Sequence, residues 1–295
     1  MPDTPLVSVL IISWNCWPDL DRCLASLRAS QQRGLEIVVY DNSSKDGTAE
    51  KVGANYPEVD LVCLSENIGH TKAVNRGFQK VRGKYVLLLD ADTELAADAI
   101  SQMFDFLEGR SDVALVAPRT FNTDGSIQET ARSFPSVWNG LFGRQSVMSR
   151  VFPNNPFTKR YLSRQNLSSR EPFQVDQVGG ACMMFRRSLI DEVGLWDERY
   201  LGYWVDSDWC AALKSKGKTV WCVPAAEIFH HENNARGKKK SPRRIWMFHQ
   251  GAYQFYVKWY CRGPLDPRAL LARCLLSLRM AMLICLNMMR PGEAR

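Results

Sequence analysis

The sequence lacks the glycine-rich loops by which many nucleotide enzymes hold phosphate. No GxGxxG follows its first apolar run, and no GxxxxGK[ST] occurs anywhere. Dinucleotide oxidoreductases and P-loop enzymes are therefore poor readings. A CxxC pair is also missing. The nine cysteines (Cys16, Cys23, Cys63, Cys182, Cys210, Cys222, Cys261, Cys274 and Cys285) are odd in number, and several lie in apolar runs. That excludes an obvious zinc site or disulfide framework and suits reduced, mostly buried thiols in a cytoplasmic protein. The N-terminus, MPDTPLVSVL, has neither the basic start nor the long apolar stretch of a signal peptide. A long uncharged run is absent too, since Arg273 and Arg279 interrupt the apolar residues 268–290. An arginine at mid-membrane costs about 3 kcal/mol, so an interfacial helix suits this stretch better than a span.

What is present is the composition of a globular protein with a real core: 45% hydrophobic and 23% charged residues. Strand-like runs at 6–13, 35–41, 59–66, 85–90 and 113–119 alternate with helical patterns at 20–30, 44–56, 70–83 and 96–109. Such alternation implies an α/β fold, with a Rossmann-like, mostly parallel sheet flanked by helices. Ligands of these sheets bind beyond the carboxyl ends of the strands. Asn15, Asp41, Glu66, Asn67, Asp90 and Asp92 all fall at such ends, which describes one cleft. Residues 134–172 show no regular pattern and read as a lid-like segment. A strand at 181–186, a helix starting near Asp206 and a strand pair or kinked strand at 219–232 complete the body.

Residues 84–94, KYVLLLDADTE, carry the strongest chemical signal. A strand places i and i+2 on one face, so the carboxylates of Asp90 and Asp92 point the same way. Two like charges so close favour a cation between or beside them. A divalent metal with hard oxygen ligands, partnered by a diphosphate, answers that need. Taken alone, an acidic strand end is also a common solvated turn.

In order and spacing, VSVLIISWN (7–15), VVYDNSSKDGT (38–48), NIGHTKAVNRGF (67–78), LLLDADT (87–93), VGGACMMFRR (178–187), VGLWDERYLGYWVDSDWC (193–210) and VPAAEIFHH (223–231) form one series. Through them the chain resembles the family-2 inverting glycosyltransferases of GT-A fold. The branch is the rhamnosyltransferase-like one that builds bacterial exopolysaccharide or O-antigen. The resemblance implies a nucleotide-diphosphate-sugar donor and a divalent metal, Mg²⁺ or Mn²⁺. It places Ser13, Asn15, Asp41, Asn67, Lys72, Asp90, Ala91, Gly179, Gly180 and Ala181 on the donor side. Within that set Asp41 would meet the base or ribose and Asp90 the ribose and diphosphate. Gly179, Gly180 and Ala181 would allow close backbone approach to the sugar. Asp92 and His230 would hold the metal, and Asp206 would be the catalytic base. The family often has glutamate just before that base, where this chain has Val205, so only the single carboxylate carries over. Asp208 is the nearby alternative, and a helix-cap role competes for either aspartate.

Tyr203, Trp204 and Asp208 are the acceptor candidates. Trp209 is a further aromatic that could floor a sugar or serve the core. Lys72 and Arg76, one helical turn apart, could meet a phosphate together or form a solvated face. The net charge of +7 is concentrated late, at RGKKKSPRR (236–244) and in arginines through 262–290. Clustered cations beside an apolar helix suit anionic lipid, with a homodimer interface as the alternative for 268–290. The chain thus divides into a nucleotide-sugar half (1–120), an acceptor half (121–235) and a basic, amphipathic helical tail (236–295). The expected enzyme is peripheral on the inner face of the cell membrane and acts on a lipid-linked glycan, without nucleic acid. A nucleotidyltransferase, or a nucleic-acid-binding protein using the tail, are the rival readings.

Overall fold

The computed structural model describes residues 5–135, 169–231 and 241–289. The first half runs β1 (Val7–Ser13), α1 (Trp17–Arg28), β2 (Leu35–Asp41), α2 (Thr48–Asn55), β3 (Asp60–Cys63), α3 (His70–Lys80) and β4 (Tyr85–Asp90). It continues with β5 (Thr93–Leu95), α4 (Ala99–Glu108), β6 (Val113–Phe121) and β7 (Ile127–Gln128). Residues 136–168, within the segment expected to be lid-like, lie outside the described residues; then come β8 (Phe173–Val175), β9 (Cys182–Arg186) and α5 (Ser188–Val193). Then follow α6 (Val205–Ser215), β10 (Thr219–His230), α7 (Pro242–Tyr260) and α8 (Pro267–Met289).

Among the described residues all the strands join one sheet, ordered β3-β2-β1-β4-β9-β6-β10-β5, with β7 on β6 and β8 on β10. β1, β2, β3 and β4 are mutually parallel, and β10 is parallel to β6. β9 runs against both its neighbours. This reversed strand sits inside an otherwise parallel series, within the mostly parallel sheet expected from the sequence. It has a consequence for the site: the entrance of β9 lies at the exits of its neighbours. β10 is a single kinked strand, with its register against β6 shifting between Val223 and Glu227. The two- and three-residue strands β5, β7 and β8 were too short to carry a period.

Alternating residues of the central strands feed two hydrophobic layers. Leu10, Val38 and Leu88 pack with Phe78, Trp209 and Phe255 on one face. Val9, Ile11, Val39, Leu87 and Leu89 pack with Leu20, Leu24, Ile100 and Met103 on the other. α3 lies very close to β1: a Cβ on Gly77 would stand 2.4 Å from Leu10 Cδ1.

The tail helices α7 and α8 pack against each other. The Arg273 guanidinium sits over the Tyr253 ring of α7, 5.5 Å from its centroid. Burial, and secondarily the Arg279 charge, hold the His249 imidazole of α7 below its usual pKa. Arg273 therefore faces α7. The opposite face of α8 carries Leu271, Leu275, Leu278, Met282 and Leu286, all exposed. By length and composition α8 is apolar enough to cross a membrane. The basic residues 236–240 lie outside the described residues.

Candidate active site

Register sets the floor of the cleft. Ser13 pairs with Asp41 and Ile12 with Asp90, so the exits of β1, β2 and β4 are nearly flush. Asp90 closes β4, whereas Asp92 lies in the turn before β5, not on the strand face expected from the sequence. The turn still brings the carboxylates together. The antiparallel pairing of β5 with β10 sets Thr93 opposite His230, and the His231 N–H donates to the Asp92 carbonyl at 2.8 Å. His230 Nε2 thereby stands 3.2 Å from Asp92 Oδ1 and 4.0 Å from Asp90 Oδ2. One ligand atom from each of Asp90, Asp92 and His230 falls within 4.8 Å of the others. Burial would raise the Asp92 carboxyl, but the hydrogen bond and charge of His230 outweigh it and hold its pKa below the usual value.

Two carboxylates and an imidazole suit a divalent ion of the Mn²⁺ or Mg²⁺ type, with positions left for phosphate oxygens and water. The residues present fit a metal site.

On the far side stands Asp206, the second residue of α6. Its Oδ2 accepts from the Gly180 N–H at 3.1 Å and its Oδ1 from the Ser207 N–H at 2.8 Å. Gly180 is placed by the reversed β9, since the Asp90 N–H donates to the Ala181 carbonyl at 2.8 Å. Asp90, Gly179, Gly180, Ala181, Asp206 and His230 line one cleft of about 260 Å³. So do His70, Gln128, Glu129, Thr130, Arg132, Trp196, Gly202 and Val205. Of these, His70, Trp196, Gly202 and Val205 lie in motifs quoted above, and only Val205 was singled out there, as a departure from the family. Gln128 to Arg132 enter through the β7 hairpin, which left no periodic signal. Arg132 brings a permanent positive charge, and burial drives the His70 imidazole down to about 4, leaving it neutral near pH 7.

Other expected residues serve the loops around the cleft. Asp41 is buried, and its carboxylate accepts from Ser13 Oγ, Ser44 Oγ and Ser44 N–H. Asn15 accepts from Lys45 N–H at 2.7 Å, and Asn67 accepts from Gly69 N–H at 2.9 Å, fixing the approach to α3. Ala91 is buried in the turn between the two metal candidates. Lys72 and Arg76 are exposed on one face of α3, outside the cleft lining.

Asp208 requires a correction. It is 4% exposed and does not line the cleft. Tyr200 Oη and Trp259 Nε1 donate to its Oδ1 at 3.0 and 2.8 Å, and Lys258 Nζ donates to Oδ2 at 2.7 Å. Its helical direction, two residues on from Asp206, turns it into the α6–α7 junction rather than toward an acceptor. Neither aspartate caps α6, whose N-cap is Trp204 in a left-handed conformation without a side-chain cap bond. Trp209 belongs to the core, donating to the Gly194 carbonyl and packing 4.8 Å from Phe185. Trp204 packs on Phe255 and Phe248, and Tyr203 is left exposed at the rim beside Gly202.

The model of the glycosyl transferase family 2 domain matches residues 8–194. An N-acetylglucosaminyl-diphospho-decaprenol L-rhamnosyltransferase of Mycobacterium tuberculosis is 28% identical over 287 residues, covering 90% of this chain and 92% of its own. Among solved structures, the mannosyltransferase PcManGT of Pyrobaculum calidifontis, in complex with GDP-Man and Mn²⁺, aligns with a TM-score of 0.60 at 19% identity. That alignment covers 97% of this chain and 74% of the other. GalNAc-T7, with UDP, GalNAc and Mn²⁺, aligns at 0.62 and 19%, covering 87% of this chain and 51% of its own. The likeness to both supports the GT-A fold. The family match displaces the nucleotidyltransferase and nucleic-acid readings.

Proposed function

From the premise that the chain belongs to glycosyl transferase family 2, we propose that it transfers a sugar with inversion from a nucleotide-diphosphate donor to a lipid-linked glycan. The long match to a rhamnosyltransferase named for a polyprenyl-linked N-acetylglucosamine supports rhamnose as the sugar and such a lipid as the acceptor. The observation that carries the reading is the Asp90–Asp92–His230 cluster facing Asp206 across one cleft. In the proposed step the acceptor oxygen attacks the anomeric carbon as the bond to the nucleotide diphosphate breaks. Asp206 takes the hydroxyl proton, and its two backbone N–H partners hold the carboxylate in place for that transfer. A bound divalent ion would supply charge stabilisation of the departing diphosphate, held by Asp90, Asp92 and His230. Arg132 adds a fixed positive charge in the same cleft. A single base without a covalent sugar intermediate gives inversion.

On this reading residues 1–120 bind the donor, 121–235 the acceptor and 236–295 the membrane. α8 packs on α7 through the face that carries Arg273 and leaves an apolar face exposed, which suits a helix lying in the plane of the interface on the cytoplasmic side.

The test is transfer from dTDP-, UDP- and GDP-sugars, dTDP-rhamnose first, to N-acetylglucosamine-diphosphate lipid, with Mn²⁺ or Mg²⁺. Asp92→Ala should lose metal-dependent nucleotide-diphosphate binding by calorimetry while the fold survives. Absence of transfer with every donor would overturn the acceptor assignment. Metal-dependent binding unchanged in Asp92→Ala would remove that residue from the metal site.

A further inference from the structure

His230 has two ring nitrogens, and only Nε2 faces the carboxylates of Asp90 and Asp92. For Nε2 to present a lone pair there, the ring proton must sit on Nδ1. Nδ1 lies 2.9 Å from Oε1 of Gln128. An amide oxygen accepts, so this contact holds the proton on Nδ1, provided the amide keeps its oxygen toward the ring.

The neighbouring groups fix that orientation. Gln128 Nε2 points to Asn122 Oδ1 at 3.4 Å. Asn122 Nδ2 in turn donates to the Ser126 carbonyl at 3.0 Å and to Ser126 Oγ at 2.9 Å. A backbone carbonyl can only accept, which sets Asn122 with its nitrogen toward Ser126 and its oxygen toward Gln128. Gln128 then has its nitrogen toward Asn122 and its oxygen toward His230. The pieces are rigid: Gln128 is 5% and Asn122 8% exposed, and Gln128 pairs with Thr120 across β6 and β7. A flipped Gln128 amide would face the ring with a donor, move the ring proton to Nε2, and put an N–H where the lone pair is needed.

We propose that Gln128, oriented by Asn122 and the Ser126 carbonyl, is a positioning residue that holds His230 in its Nδ1–H form for metal binding. This rests on the metal reading above. Partners of this kind orient ligating histidines, and their loss commonly lowers metal affinity about 10- to 100-fold. Nothing in the β7 hairpin sequence announces the role; the chemistry appears only when β6, β7 and β10 come together.

The experiment uses the full-length protein and Mn²⁺ alone, followed by electron paramagnetic resonance and calorimetry. Gln128→Leu, which cannot accept a hydrogen bond, should weaken Mn²⁺ binding about 10-fold or more. Gln128→Glu, which accepts at the same place, should bind within about threefold of the unmodified protein or more tightly. Melting temperatures measured without metal identify a variant that fails to fold. An independent arm needs no variant: with four histidines in the chain, ¹⁵N spectra of the protein saturated with diamagnetic Mg²⁺, which would take the place of the proton Nε2 shares with Asp92, can assign the tautomer of His230 at pH above 7. The Nδ1–H form supports the inference, and a predominant Nε2–H form overturns it. So does a folded Gln128→Leu protein that binds Mn²⁺ like the unmodified one, or a Glu variant as weak as the Leu variant. Failure of the unmodified protein to bind Mn²⁺ would instead overturn the metal reading itself, and this inference with it.

Discussion

Asp206 and Asp208 are two residues apart, and exchanging each for asparagine should have opposite consequences. Asp208 is buried against Tyr200, Trp259 and Lys258. Asparagine could keep its oxygen toward Tyr200 and Trp259, since both donate to the same carboxylate oxygen, but would turn a donor toward the Lys258 ammonium. The lost charge-assisted bond is worth about 1.5–3 kcal/mol. Lys258 keeps Asp197 at 3.3 Å and is partly exposed, which argues for the lower part of that range. About 2 kcal/mol corresponds to a fall in Tm of about 3–4 °C for a protein of this size. Below its melting range the Asp208→Asn enzyme should retain most of its turnover. Asp206→Asn can still accept one of its two backbone N–H bonds, so its Tm should move by less than about 2 °C. Its turnover should fall about 100-fold or more, as for a lost general base, with donor affinity nearly unchanged. Differential scanning fluorimetry, donor calorimetry and initial rates at 20 °C measure all three quantities. An inactive but stable Asp208→Asn beside an active Asp206→Asn would refute the assignment.

Three further outcomes follow from other parts of the molecule. His70 titrates near 4 in the fold against about 6.5 when unfolded, so the unfolded chain takes up the proton first. Its contribution is complete above pH 6.5 and is lost as pH falls toward 4; denaturation midpoints of His70→Gln should gain on the unmodified protein across that window, and parallel curves would contradict the shift. Gly77→Ala should destabilise by about 1–3 kcal/mol in urea unfolding because its Cβ would strike Leu10, while a neutral result would mean that α3 can move off β1. Leu275→Glu with Leu278→Glu, on the exposed face of α8, should reduce sedimentation with anionic vesicles severalfold at unchanged Tm; a dimer-to-monomer change without any vesicle effect would make this face an oligomer interface.

The alternating half of the chain was legible because its strands are long and its helices amphipathic. β1, β2 and β4 each carry six or seven consecutive strand residues, and their exits marked the cleft. Legibility failed where the pairing partner is distant or the strand short. β5, β7 and β8 have two or three residues and no measurable period. The reversal of β9 also left no local trace, since a buried strand reads alike in either direction. Asp208 was misplaced for a different reason: an acidic residue two positions from the proposed base looks catalytic until the lysine, tyrosine and tryptophan that surround it are known. Which face of α8 meets α7 was not legible either, because the approach of Arg273 to Tyr253 depends on a partner outside the local sequence.

The reversed strand also explains what the two glycines at its entrance do. β1, β4, β6 and β10 run in one direction, so their exits share an edge, and β9 delivers Gly179, Gly180 and Ala181 to that same edge. Neither glycine is required by a left-handed backbone or by internal crowding. A Cβ at Gly179 would meet Thr130 at 3.5 Å and one at Gly180 would meet Asp206 at 3.7 Å, both ordinary contacts. The missing side chains therefore matter on the open side, toward the cleft between Asp206 and the metal cluster. On the proposed reading that space belongs to the donor sugar, whose anomeric carbon must lie between the proton acceptor and the departing diphosphate. A parallel strand in the place of β9 would have put its exit at this edge and its entrance at the far end. The backbone N–H that steadies Asp206 would then have had to come from elsewhere.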